Sequence, residues 1–419
     1  MPAIRDLRAL EILDSRGRPT LLVACDLASG ASAAASVPSG ASTGAAEALE
    51  LRDGDPARYR GLGVRRAAAN VRGPVLDAVA GRDLPDQAAL DRLLVDLDGT
   101  PNKARLGANA VLGVSLAFAR AVAAERGLPL WRHLASLVGH TPDRLPRPTV
   151  NLFSGGKHAG GQVEVQDVLV VVPAARTIDE ALAVTSDVYA AAAALCRARY
   201  RTRGLVADEG GLAPDFPDVA TMLADAVQAI RDAGRAPGPE VALCVDVAAS
   251  HFFADGRYRL GGRALASSEM VEQVAAWVDR FPIVSVEDGL AEDDWTHWPA
   301  LRARLGGRAL TLGDDLLATN PARIRRAVAA GAADALLLKV NQIGTLSEAA
   351  EALALARAAG WRVVVSARSG ETEDDWLTDL AVGWGGDALK VGSVTRSERL
   401  AKWNRLLAIE AETGFRVVG

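Results

Sequence analysis

The sequence predicts an α/β protein, a closed barrel of the (β/α)8-like type over residues 140–419 with a smaller α+β capping domain over residues 1–139. Three observations carry this. After about residue 148, short apolar strands alternate with amphipathic helical stretches, which is the pattern of βα units and predicts a parallel sheet. Six of those strands, ALCVD, IVSVE, ALTLGD, ALLLK, RVVVSAR and DALK, end in a charge at Asp246, Glu287, Asp314, Lys339, Arg368 and Lys390. The separations of 41, 27, 25, 29 and 22 residues each fit one βα unit. A closed barrel brings all such ends to one mouth, which explains six consecutive charged ends better than an open sheet does. The third observation is HTPDRLPRP at 140–148, whose three prolines mark a linker between two patterns.

In chain order, TLLVACDLA and SAAASV predict a short antiparallel sheet, and helical periodicity follows over about 57–80, 87–97 and 108–126. Between sheet and helices, PSGASTGAAE at 38–47 combines two glycines with three hydroxyl-bearing residues and reads as a mobile loop.

The 419 residues are 49% hydrophobic and 24% charged, with a net charge of −5, which is an ordinary globular balance. No excess of positive charge favours nucleic acid or anionic membrane, so an anionic substrate has to be held locally. Cys25, Cys196 and Cys244 are odd in number, far apart and in no CxxC spacing, which predicts neither disulfides nor a zinc site. The N-terminus lacks an apolar signal core and no run approaches the ~20 apolar residues of a membrane span, so a cytoplasmic setting is expected. Of 47 basic residues only five are lysine, at 103, 157, 339, 390 and 402. Arginine keeps its proton, whereas a lysine amine can be tuned to lose it, so a lysine at an apolar strand end is a candidate for chemistry.

Three acidic strand ends converging with two lysines and an arginine call for a metal and an anion to neutralise them. Asp246, Glu287 and Asp314 offer hard oxygens suited to Mg²⁺. Arg368 and its neighbour Ser369 suit a phosphate or carboxylate. In ADEGG at 207–211, Asp208 and Glu209 stand before a Gly-Gly turn, and a carboxylate in such a loop can be a general acid if burial raises its pKa. Opposite it, Lys339 as base suits removal of a proton from one carbon and departure of hydroxyl from the next.

These residues sit in motifs that resemble the enolase family over nearly the whole chain. They include DSRGRPT at 14–20, PSGASTG at 38–44, ALELRDGD at 48–55, GANA at 107–110, HAGG at 158–161 and DEGG at 208–211. SVEDGL at 285–290, GDDL at 313–316, KVNQIGT at 339–345, RSGETED at 368–374 and LKVGS at 389–393 follow in order. The resemblance implies a lid-covered barrel with two Mg²⁺ ions that removes the C2 proton of 2-phosphoglycerate and expels the C3 hydroxyl to give phosphoenolpyruvate. It implies Lys339 as base, Glu209 as acid, and Asp246, Glu287 and Asp314 as ligands of the first ion. By the same resemblance Ser42 closes on the second ion and the substrate phosphate. Lys390 faces the substrate carboxylate, Arg368 and Ser369 grip phosphate, and His158 and Gln166 face substrate. A homodimer or higher homo-oligomer is expected.

Four departures from the family pattern bear on specificity. SHRSGE becomes SARSGE, placing Ala367 beside the phosphate grip; QEF becomes QDV, placing Asp167 near the acid; SEF becomes SHF, giving His251; and the chain stops at FRVVG. A retracted carboxylate and a lost imidazole both point to a site reshaped around the phosphoryl end. The alternative expectation is therefore a specialised paralog similar to carboxyphosphonoenolpyruvate synthase, which uses a nucleotide-activated phosphonoformate. A non-catalytic binding protein of the same fold is the third, and retention of acid, base and metal carboxylates together argues against it. Trp376 and Trp384, after RSGETED, either repack the opening at Ala367 or fill the outer layer.

Overall fold

The computed structural model describes residues 2–40, 44–202 and 204–418. The cap opens with an antiparallel sheet of β1 (Ile4–Leu13), β2 (Pro19–Leu27) and β3 (Ser32–Ser36), in that order. A helical stretch over 65–79 follows, and then α1 (Gln87–Asp98), α2 (Ala108–Glu125) and α3 (Leu130–Leu137). α2 lies on the sheet, and Gly113 makes this possible: a Cβ there would fall 2.5 Å from Val23 Cγ2. The helix expected over 57–80 starts only at Arg65, because Tyr59 and Arg60 take left-handed backbone conformations. Asp53 instead caps the start, its carboxylate accepting from the Arg65 and Arg66 amides at 3.0 and 2.9 Å.

Eight strands close into a barrel in sequence order. They are β4 (Arg147–Ser154), β5 (Asp167–Val171), β6 (Ala242–Asp246), β7 (Ile283–Glu287), β8 (Leu310–Gly313), β9 (Ala335–Leu338), β10 (Arg362–Ser366) and β11 (Ala388–Lys390). The all-parallel sheet expected from the sequence is corrected at one strand, since β5 runs antiparallel to both β4 and β6. The glycine-rich segment between β4 and β5 holds no crossover helix, so the chain turns straight back. As a result the first residue of β5, Asp167, reaches the same mouth as the last residues of its neighbours, pairing with Ser154 and Asp246.

The run-length criterion for membrane spans passes over α2 and α4 (Ile178–Tyr200), both long and apolar enough by composition to cross a membrane. α2 is 83% buried in the cap core, and α4 packs on the barrel and on the following helix, Val219–Asp232. Trp376 and Trp384 do not reach the opening at Ala367. Their indole N–H groups donate to the carbonyls of Ser36 and Leu134 in the cap, at 3.2 and 3.1 Å, so both bind cap to barrel.

Candidate active site

The strand ends do converge. Asp246, Glu287 and Lys390 end β6, β7 and β11, Asp314 and Lys339 stand one residue past β8 and β9, and Arg368 two past β10. A small cavity lies among them, lined by His158, Gln166, Glu209, Asp246, Lys339 and Lys390, and by Ser366 to Ser369. Ser42 lies outside the described residues.

Around the carboxylates, Lys390 Nζ donates to Asp246 Oδ2 at 3.0 Å and to Glu287 Oε2 at 2.7 Å, while Lys339 Nζ pairs with Asp314 Oδ2. Gln342 bonds Asp314 Oδ1 at 2.7 Å, and Gln166 bonds Asp246 Oδ2 at 3.2 Å. Burial and then the Asp246 charge push the Glu287 carboxyl well above its ordinary range, and its Oε1 has no hydrogen-bond partner among the described residues. Hard oxygens converging in a buried site, one of them unpartnered, fit a divalent cation. The carboxylate oxygens closest together are not those of the expected triad, however. Asp314 lies instead with Asp288 and Asp315, ligand atoms within 4.8 Å of one another, and Asp288 accepts both the Asp314 and Asp315 amides.

The acid side is a buried chain. Asn151 Nδ2 donates to Glu209 Oε2 at 3.0 Å, His158 Nε2 lies 3.8 Å from Glu209 Oε1, and His158 Nδ1 is 2.7 Å from Asp167 Oδ2. Ser154 Oγ closes the chain on Asp167 Oδ1 at 2.5 Å. Asp167 therefore does not line the cavity as a substrate contact. It stands fully buried behind His158 and positions it. Replacing Asp167 by Glu has to fit a further methylene between Ser154 and His158, so Asp167→Glu is expected to cost about 1–3 kcal/mol in urea denaturation.

Charge states differ from those expected for Glu209 and Lys339. Burial pushes the Glu209 carboxyl up, but the His158, Arg399, Lys390 and Lys339 cations outweigh it and hold the group down at about 2. Burial likewise disfavours the Lys339 charge, and Arg368 and Lys390 add to this, yet the Asp314 carboxylate wins and holds the amine above its ordinary value. For His158, burial is overcome by Asp167 and Glu209, which lift the imidazole from 6.5 to about 9. A folded-state pKa above the unfolded one stabilises fully below pH 6.5 and is lost as pH rises through about 9. Wild type is thus expected to lose roughly 3 kcal/mol of stability across that window, a slope that denaturation at several pH values should find missing in His158→Gln.

At the expected phosphate grip, Arg368 forms a two-pronged pair with Glu47 of the cap, at 2.9 and 3.1 Å, and donates to Asn341 at 3.0 Å. Ser369 Oγ accepts from Arg16 at 2.9 Å. The cap loop is further tied by paired backbone bonds between Ser39 and Gly370. Fully buried Arg399 fixes the grip from behind, donating to the carbonyls of Arg368 and Ser369 at 2.7 and 2.6 Å. Sequence reasoning missed Glu47, Asn151, Ser154, Arg399 and Gln342. Glu47 and Gln342 adjoin or lie in quoted motifs, which is the one signal available for them; nothing local marks Arg399. His251 does not line the cavity. It sits in the turn after β6, where burial pushes its imidazole down to about 4.

The mouth of this closed barrel joins buried carboxylates, two lysines and an arginine under a cap, bringing titratable groups of both signs to one place. Residues 4–134 match the enolase N-terminal domain and residues 142–418 the enolase C-terminal TIM barrel domain. The chain belongs to the enolase family, and its fold and acidic groups are those of an enolase-superfamily enzyme able to hold a metal.

Proposed function

We propose that the protein abstracts the C2 proton of 2-phosphoglycerate, or a close phosphorylated analogue, and eliminates the C3 hydroxyl as water to leave an enol phosphate. The observation that carries this is that Lys339 and Glu209 line one small cavity together with Arg368 and Lys390. Asp246, Glu287 and Asp314 would hold Mg²⁺, which when bound supplies positive charge against the negative charge growing on the substrate carboxylate. Lys339 must be unprotonated to take the C2 proton. Asp314 is what holds its proton on, so a carboxylate engaged elsewhere leaves Arg368 and Lys390 to lower the amine. Glu209 is ionised, so the proton for the departing hydroxyl is stored on His158, 3.8 Å away, and passes through Glu209. Asn151 and Asp167 keep that pair aligned. Substrate phosphate at Arg368 takes the place of Glu47 as its partner, and Lys390 meets the carboxylate.

The second reading, a paralog with an altered phosphoryl pocket, is favoured by Ala367, which lines the cavity beside Arg368 and Ser369. Incubation of wild type with 2-phosphoglycerate and Mg²⁺, followed by absorbance of the enol product, tests this. Turnover on the order of ~10 per second supports the first reading. Slow turnover that Ala367→His accelerates would transfer support to the second.

A further inference from the structure

The cavity beside Lys339 is not the larger space in the barrel. A second one, about 230 Å³ and partly open to solvent, occupies the interior below it, towards the N-terminal ends of the parallel strands. Barrels of this kind normally fill that region with layers of branched side chains. Here the interior cluster is small, Leu312, Ala335, Leu337 and Val364, and Thr149, Ser285 and Ala388 stand where bulk would close the floor. The consequence appears in exposure. Val284, in the middle of a barrel strand, lines this space and is 39% exposed, so solvent enters from below.

The cations around the cavity already have partners, and the one unpartnered oxygen is Glu287 Oε1 at the roof. Arg147 donates to the carbonyls of Val172 and Ala175 at 2.6 and 3.2 Å, and Arg362 pairs with Asp387 at 2.9 Å. Lys390, at the roof, is held by Asp246 and Glu287. The remaining walls, such as Leu169, Val171, Cys244 and Leu310, are apolar. Paired cations give an anion nothing to neutralise, while an apolar cavity in a protein takes apolar molecules of benzene size. At about 230 Å³ it exceeds the apolar cavity of about 150 Å³ that takes benzene.

We propose that the barrel floor is a binding site for a small, uncharged, mainly apolar molecule of aromatic size, distinct from the mouth that holds Lys339 and Glu209. The inference stands whether or not the reaction at the mouth is the one proposed above.

Calorimetric titration of the full-length protein with indole is the test. One saturable site is expected. Ala388→Phe and, separately, Val171→Phe fill the floor and should each weaken indole binding about tenfold or more. A second measurement needs no variant. Cys244 lines the cavity and is partly exposed, whereas Cys25 and Cys196 are 0% and 3% exposed. Alkylation by N-ethylmaleimide near neutral pH reads that accessibility. Cys244 should be modified first, and saturating indole should slow its modification severalfold. Non-saturable uptake, undiminished binding in both filled variants, or Cys244 alkylation indifferent to indole would overturn the proposal.

Discussion

Lys339→Ala is expected to abolish exchange of the C2 proton of 2-phosphoglycerate with solvent and to lower kcat/KM by about 10²–10⁴-fold, the usual worth of a positioned base. Lys339 lines the cavity and its amine faces Asp314, so truncation removes the proposed base while the hydrogen bonds and ion pair that hold Glu209 and His158, to Asn151 and Asp167, remain. Glu209→Gln should do the converse. It blocks dehydration but keeps exchange, because the amide cannot pass a proton from His158 to the leaving hydroxyl. Following the substrate C2 signal by proton NMR in deuterated buffer, alongside product formation, separates the two steps. Equal loss of both activities in both variants would show that the two groups do not divide the roles.

Asp314 carries the second large effect. Asp314→Asn is expected to weaken Mg²⁺ binding by about 100-fold or more in calorimetric titration, since even a residue supporting a metal ligand costs about 10–100-fold. From sequence, the ligand reads as a solvent-facing group whose loss spares the fold. The structure corrects this, because Asp314 is only 8% exposed and holds Lys339. Asp314→Ala leaves a buried ammonium without its carboxylate and should also cost about 3–5 kcal/mol in urea denaturation. The Asn variant keeps the shape and a polar partner and is the cleaner probe of metal. Unchanged Mg²⁺ affinity in Asp314→Asn would refute the ligand assignment.

The barrel was legible because strand ends repeat: an apolar run followed by Asp246, Glu287, Asp314, Lys339, Arg368 or Lys390 is a local pattern with regular spacing. The direction of β5 was not, since DVLVV reads the same in either sense and only the helix-free turn before it decides. The identities of Lys339 and Glu209 were legible from their motifs, while their charge states were not. Those depend on His158, Asp314 and Arg399, brought in from distant parts of the chain. For the same reason the Glu47–Arg368 pair, which joins cap to barrel across 321 residues, left no local trace. The open barrel floor arises from small side chains on separate strands, each unremarkable in its own segment.

The central claim is that this mouth removes a proton from the carbon next to a carboxylate. Its most direct test is proton NMR of 2-phosphoglycerate incubated with the wild-type protein and Mg²⁺ in deuterated buffer. The account predicts that remaining substrate loses its C2 proton signal as the enol phosphate accumulates. Retention of that signal with no product, at every Mg²⁺ concentration, would contradict it.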